Sequence, residues 1–138
     1  MRDPKITKIF EVAKAEKRDF LFEHEAKQLC NLYGMPITAI EIAKTEEEAA
    51  TASKKIGYPI VLKIISPQVL HKSDAGGVLI GLNDEKAVRD GFNTIISNIK
   101  KNVPTATIEG ILVQEMAPKS TEVIIGSTND PTFGPTLM

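Results

Sequence analysis

Apolar positions recur at helical spacing over residues 3–18 (DPKITKIFEVAKAEKR), where Ile6, Ile9, Phe10 and Ala13 share a face, which predicts an amphipathic helix starting near Pro4. A second helix is predicted over about 22–33, with Phe22, Ala26, Leu29, Cys30 and Tyr33 on one face and Gly34 as its stop. Cys30 there reads as a small buried hydrophobe. His24, between Glu23 and Glu25, reads as a solvated surface histidine with no role. From Met35 the pattern changes: Pro36 cannot continue a helix, and Ile37 to Ala43 (ITAIEIA) predicts a strand. Thr45 with Glu48 three residues on is a capping-box pattern, and Ala49, Ala52, Ser53 and Ile56 line the inner side of a helix that Gly57 ends.

The chain then reaches its most informative stretch, Tyr58 to Gly81 (YPIVLKIISPQVLHKSDAGGVLIG). Ile60, Val61, Leu62, Ile64 and Ile65 form an apolar run that does not alternate, the pattern of a strand buried on both faces and the second strand of a βαβ-type element. Lys63 interrupts it. An ammonium group in such a strand is costly unless an anion meets it, so Lys63 asks for a carboxylate or a ligand phosphate. Nine residues later, Lys72, Ser73, Asp74, Ala75, Gly76 and Gly77 make a loop whose small residues let backbone approach a ligand and turn N–H groups toward an anion.

Beyond the loop, Val78 to Leu82 predicts a short strand, and Asn83 caps a helix to about Lys101 with Phe92, Ile95, Ile96 and Ile99 inward. Glu109 to Met116 (EGILVQEM) and Thr121 to Ser127 (TEVIIGS) read as two further strands joined by a turn at Ala117 to Ser120, with Glu115 and Glu122 flanking that turn. The last stretch, TNDPTFGPTLM, is turn-rich.

Composition narrows the function classes. A chain of 138 residues that is 42% hydrophobic and 25% charged suits a globular protein without membrane spans. With 17 Lys+Arg against 18 Asp+Glu there is no electrostatic case for nucleic acid or an anionic membrane as partner. The single cysteine excludes a disulfide within the chain and argues against a thiolate metal site. Met1 to Lys17 is charged throughout and lacks the apolar segment of a signal peptide, so a cytoplasmic location is expected.

The run GYPIVLKIISPQVLHKSDAGGV, preceded by EAKQLCNLYGMPIT and followed by ILVQEMAPKSTEVIIGSTNDPTFGP, resembles the ATP-grasp part of the NDP-forming acyl-CoA synthetases, and within them the β subunit of ADP-forming acetate–CoA ligase, a relative of succinyl-CoA synthetase. The resemblance covers roughly residues 20–138. It implies an α/β (α+β) fold, the N-terminal ATP-grasp subdomain with a mixed sheet and flanking helices, with residues 1–20 as a helical extension and 21–138 as the ATP-grasp portion.

The resemblance also implies roles. Lys63 stands where a strand lysine contacts nucleotide phosphates, and Ser73 to Gly77, including Gly76 and Gly77, stand where a phosphate-covering loop lies. Glu115 and Met116 fall where the adenine is held, and Glu122 matches a carboxylate near the ribose or an adjacent basic group. His71 matches the histidine that carries phosphate near the nucleotide; an imidazole nitrogen is a competent nucleophile, and Lys72 with the loop amides can stabilise phosphoryl oxygens. ATP or ADP is the implied ligand, CoA is expected on a partner α subunit in a hetero-oligomer, and Mg²⁺ ligands are expected in a second ATP-grasp half, none of them within these residues. The isolated 138 residues are therefore expected not to turn over. Two other readings stay open: a non-catalytic nucleotide-binding or assembly module, and the ATP-grasp module of a multidomain protein acetyltransferase.

Overall fold

A computed structural model describes residues 3–138. In chain order the elements are α1 (Pro4–Ala15), α2 (Glu23–Leu32), β1 (Ile40–Ala43), α3 (Glu46–Ile56), β2 (Ile60–Ile65), β3 (Val78–Leu82), α4 (Glu85–Asn102), β4 (Gly110–Glu115), β5 (Ser127–Asp130) and β6 (Gly134–Leu137). The first four strands make one sheet in the order β1-β4-β2-β3, and among the described residues β5 pairs with β6 alone. Every neighbouring pair is antiparallel, so the sheet is not the mixed one expected: β4 enters between β1 and β2 and keeps those two from pairing in parallel. Strands β1 and β2 run the same way, joined through α3, but β4 lies between them, so the predicted βαβ element is a split one.

Strand β2 is buried on both faces, as its apolar run requires. Ile60, Leu62 and Ile64 point to one side, where they meet Ile111 and Val113 of β4, Ala49 and Ala52 of α3, and Val88, Phe92, Ile95 and Ile99 of α4. Each such aliphatic side chain contributes about 2 kcal/mol on leaving water, which fixes the strand that carries Lys63. Alternation sends Val61, Lys63 and Ile65 to the opposite face, where α2 lies and Lys63 reaches Glu23. The cap of α3 is the predicted one, Thr45 Oγ1 accepting from the Glu48 N–H at 3.2 Å. For α4 the cap is Asp84, accepting from the Ala87 N–H at 2.7 Å, one residue beyond the predicted Asn83.

Three further expectations are corrected. Thr121 to Ser127 is not a strand: residues 121–126 are irregular, and β5 begins only at Ser127. Val123, Ile124 and Ile125 are 77%, 93% and 79% exposed, so the β-branched residues that suggested a strand find no pairing partner among the described residues. The turn-rich C-terminal stretch instead folds on itself as the β5–β6 hairpin, with Asp130 accepting from the N–H groups of Thr132 and Phe133. Cys30 is only partly buried, and Tyr33 is exposed.

His24 is not a solvated histidine. It is half-buried, its ring stacks on Phe22 at 5.8 Å, and its Nδ1 is buried without a hydrogen-bond partner. Burial pushes its pKa below the usual histidine value, against the nearby Glu25 charge.

Candidate phosphate site

Lys63 sits in the middle of β2, opposite Val78 of β3 and Leu112 of β4. Its Nζ donates to Glu23 Oε1 at 2.7 Å. Glu23 is the first residue of α2, and two more ammonium groups reach it: Lys72 from the β2–β3 loop at 3.4 Å and Lys27, one turn along α2, at 3.5 Å. All four side chains are about three-quarters shielded, between 21% and 26% exposed. Burial pushes the Glu23 carboxyl up, but the Lys63 hydrogen bond and the charges of Lys63, Lys72 and Lys27 outweigh it and hold the group below the usual carboxylate range. Burial also holds the Lys27 ammonium below its usual value, partly offset by Glu23.

Lys63 and Lys72 border a hollow of about 430 Å³ lined by Glu23, Lys63, Leu70, His71, Lys72, Ser73, Asp74 and Val78. Of the residues the sequence singled out, the structure thus brings Lys63, His71 and Ser73 together. Residues 71–77 form a tight turn: the N–H groups of Ala75, Gly76 and Gly77 donate to the carbonyls of His71, Ser73 and Lys72 at 3.3, 3.0 and 2.7 Å. Two asparagines of α4 fasten its back, Asn98 to the Gly76 carbonyl and Asn102 to the Ala75 carbonyl, both at 3.1 Å. The conformation of the turn therefore does not call on the His71 imidazole, which stays exposed at the rim of the hollow.

Gly76 and Gly77 do not line the hollow. Gly76 has φ +70°, and a Cβ there would lie 2.8 Å from Asn98; a Cβ on Gly77 would lie 2.5 Å from Ile64 Cγ2. Close packing of the turn against α4 and β2 is what requires glycine, and of the N–H groups expected to face an anion those of Ala75, Gly76 and Gly77 are engaged within the turn.

Glu115 and Met116 lie at the far end of β4. Glu115 is opposite Ile60, three positions along β2 from Lys63, about 10 Å at the rise of a strand. Its carboxylate accepts from the Ala39 N–H at 3.0 Å, and the Met116 N–H donates to the Pro59 carbonyl at 3.2 Å, so both extend the sheet beyond its last pairs. Glu122 lies apart in the exposed 121–126 segment.

Glu23 escaped sequence reasoning because its main partner is 40 residues away; the Glu23–Lys27 spacing on α2 was its one local signal. A neighbouring pair fixes the start of that helix. Arg18 donates to both oxygens of the buried Glu25 at 2.9 and 2.8 Å, and Glu25 accepts the Phe22 N–H at 2.7 Å. The Arg18 guanidinium also lies 4.1 Å over the Phe22 ring.

Comparison with known proteins decides the family. A family described as ATP-grasp domain matches residues 12–138. The chain belongs to the ATP-grasp family. This ATP-grasp chain is 48% identical, over 97% of its length, to 19% of the 4-hydroxybutyrate–CoA ligase [ADP-forming] of Nitrosopumilus maritimus. It is 46% identical, over 99% of its length, to 59% of the acetate–CoA ligase [ADP-forming] I subunit beta of Pyrococcus furiosus. Among solved structures it superposes with a TM-score of 0.92 and 55% identity on the dinucleotide forming acetyl-coenzyme A synthetase 1 of Ca. Korarchaeum cryptofilum in complex with coenzyme A, Ca-AMPCP and HgCl+, covering 94% of this chain and 57% of that one. That synthetase is also known with coenzyme A, Mg-AMPPCP and a phosphohistidine segment pointing towards the nucleotide binding site; there the TM-score is 0.79, with 45% identity over 96% of this chain and 55% of that one. The ATP-grasp chain spans less than two thirds of the length of each of these relatives. Among the described residues, no helix is long and apolar enough to cross a membrane, and no three His, Cys, Asp or Glu side chains stand together as a metal site.

Proposed function

We propose that this ATP-grasp chain is the nucleotide-binding part of an ADP-forming acyl-CoA ligase acting on acetate, which moves a phosphoryl group between a phosphohistidine and ADP or ATP. The coupled reaction is acyl-CoA + ADP + phosphate = acid + CoA + ATP. One observation carries the reading: Lys63 and Lys72 converge with His71 on a single open hollow, where the two ammonium groups share one carboxylate, Glu23. Cations held in a partly desolvated recess favour phosphate oxygens, and an exposed imidazole beside them is placed to accept and release a phosphoryl group.

In the ATP-forming direction the N–P bond of phosphorylated His71 breaks as an oxygen of the terminal phosphate of ADP bonds to phosphorus, and the imidazole nitrogen recovers a proton from solvent. Lys63 and Lys72 balance the negative charge on the moving group. Ser73 offers its hydroxyl at the same rim, while Gly76 and Gly77 let the turn sit close to β2 and α4. For a nucleotide with its phosphates at Lys63 we assign the base to the backbone of Glu115 and Met116 at the end of β4, and Glu122, from the segment beyond, to the ribose. Mg²⁺, when bound, supplies charge neutralisation on the phosphates; its ligands come from outside these residues. CoA and the carboxylic acid bind on a CoA-binding α subunit, giving a cytoplasmic heteromer, with residues 1–20 as a helical extension of the ATP-grasp portion at 21–138.

Phosphorylation by labelled ATP in the full-length complex, comparing His71→Ala with wild type, tests the reading. Label on this polypeptide is expected to disappear in the variant. Retained label would exclude His71 as its phosphate carrier.

A further inference from the structure

Glu23 is held in an unusual way. Its three partners come from three different elements, Lys27 of α2, Lys63 of β2 and Lys72 of the β2–β3 loop. The two oxygens divide the work, Oε1 facing Lys63 and Lys27 and Oε2 facing Lys72, so the carboxylate bridges cations as a phosphate group would. These partners are ammonium groups on flexible stems, point charges that exchange one anion for another without geometric demand. Lys63 and Lys72 line the hollow against Glu23 and Asp74, and Lys27, outside that lining, pairs with Glu23 as well, so the three ammonium groups still exceed the two carboxylates around the recess.

We propose that Glu23 is an internal stand-in for phosphate: it holds Lys63 and Lys72 in place while the hollow is empty and yields them to the phosphate groups of an entering nucleoside di- or triphosphate. The inference rests on reading the hollow as a nucleotide-phosphate site. A phosphate contacting Lys63 and Lys72 comes within a few ångströms of the Glu23 carboxylate, and two negative charges that close repel strongly in a partly shielded recess. Binding must therefore part Glu23 from at least one lysine. Glu23 is in this sense a positioning residue that sets nucleotide affinity through Lys63 and Lys72.

The test titrates ADP and adenosine into the full-length polypeptide assembled with its partner subunit. Glu23→Gln keeps the shape and removes the competing charge, so ADP is expected to bind about five- to tenfold tighter than to wild type, with adenosine affinity unchanged. ADP binding to the folded variant that is equal or weaker overturns the proposal, as does an equal gain for adenosine. Lys63→Ala separates the two levels of inference. If it binds ADP like wild type, the phosphate-site reading fails and the stand-in role with it. If it loses ADP binding while Glu23→Gln behaves as wild type, only the stand-in role fails. Should Glu23→Gln not fold, zero-length carbodiimide coupling on the wild-type complex decides: a Glu23–Lys63 cross-linked peptide is expected without nucleotide and suppressed by saturating ADP, and its persistence overturns the proposal.

Discussion

Two carboxylates two residues apart on α2 have opposite fates. Glu25 is buried and saturated: one guanidinium takes both its oxygens in a planar fork, and a backbone N–H completes the set. Glu23, barely a turn away, faces three separate ammonium groups beside an open hollow. The first arrangement is closed, with donors and acceptors matched, and can only hold structure. The second carries more cation than anion and stays open, which is how a recess keeps capacity for a ligand. Residue type does not distinguish scaffold from site here; the ratio of charges and access to solvent do.

Three perturbations would sharpen or break that contrast. Removing the guanidinium should have the largest effect. Arg18→Ala leaves Glu25 buried with its fork gone, and about 3 kcal/mol of stability should be lost in denaturant titration. A loss below about 0.5 kcal/mol would mean that the pair is a surface contact.

Lys63→Ala should show the reverse profile. Glu23 keeps Lys27 and Lys72, so unfolding free energy should fall by less than about 1 kcal/mol, whereas ADP affinity of the full-length complex should drop about tenfold or more. Equal losses in stability and binding would erase the distinction between the two clusters.

The smallest effect is on acid stability. His24 has a folded-state pKa below its ordinary 6.5, so the unfolded chain takes up its proton first as pH falls. The stability this group contributes is complete above about pH 6.5 and declines below it. Glu23 and Glu25, held below their ordinary 4.5, add a second decline only under about pH 4.5. Thermal melts across pH 4–8 should therefore show an upper, shallow loss that His24→Gln removes and a lower one that it leaves in place. An unchanged upper loss in that variant would place its origin elsewhere.

The sequence made Lys63 legible because it is the one charge in an apolar run, and the capped helix over Glu46–Ile56 legible because its signals are local. His71 and Ser73 came with the family resemblance, and the structure sets them beside Lys63. Glu23 was hidden for a physical reason: two glutamates flanking a histidine at a helix start look like a solvated, dipole-favoured turn. Only the fold reveals that one turns toward Arg18, the other toward β2, and that His24 is half-buried. Residues 121–127 misled in the opposite direction, since the consecutive β-branched residues Val123, Ile124 and Ile125 announce strand propensity but cannot supply the neighbouring strand that makes one. The glycines were read for what they permit toward a ligand, while the structure uses them for what they permit toward Ile64 and Asn98.

The position of β4 carries a consequence for how this molecule assembles. It is the last strand of the main sheet in the chain, yet it lies between β1 and β2. A nascent polypeptide that has emerged only as far as α4 holds the β2–β3 pair, while β1 waits alone and β2 presents a bare apolar edge. Closure comes as a late insertion between two strands already made, the kind of long-range event that slows folding and leaves sticky intermediates exposed. Synthesis pausing shortly before Gly110 has emerged would lengthen the interval in which that edge is bare, and the segment Ile111 to Val113 ends it by pairing with β1 and β2 together.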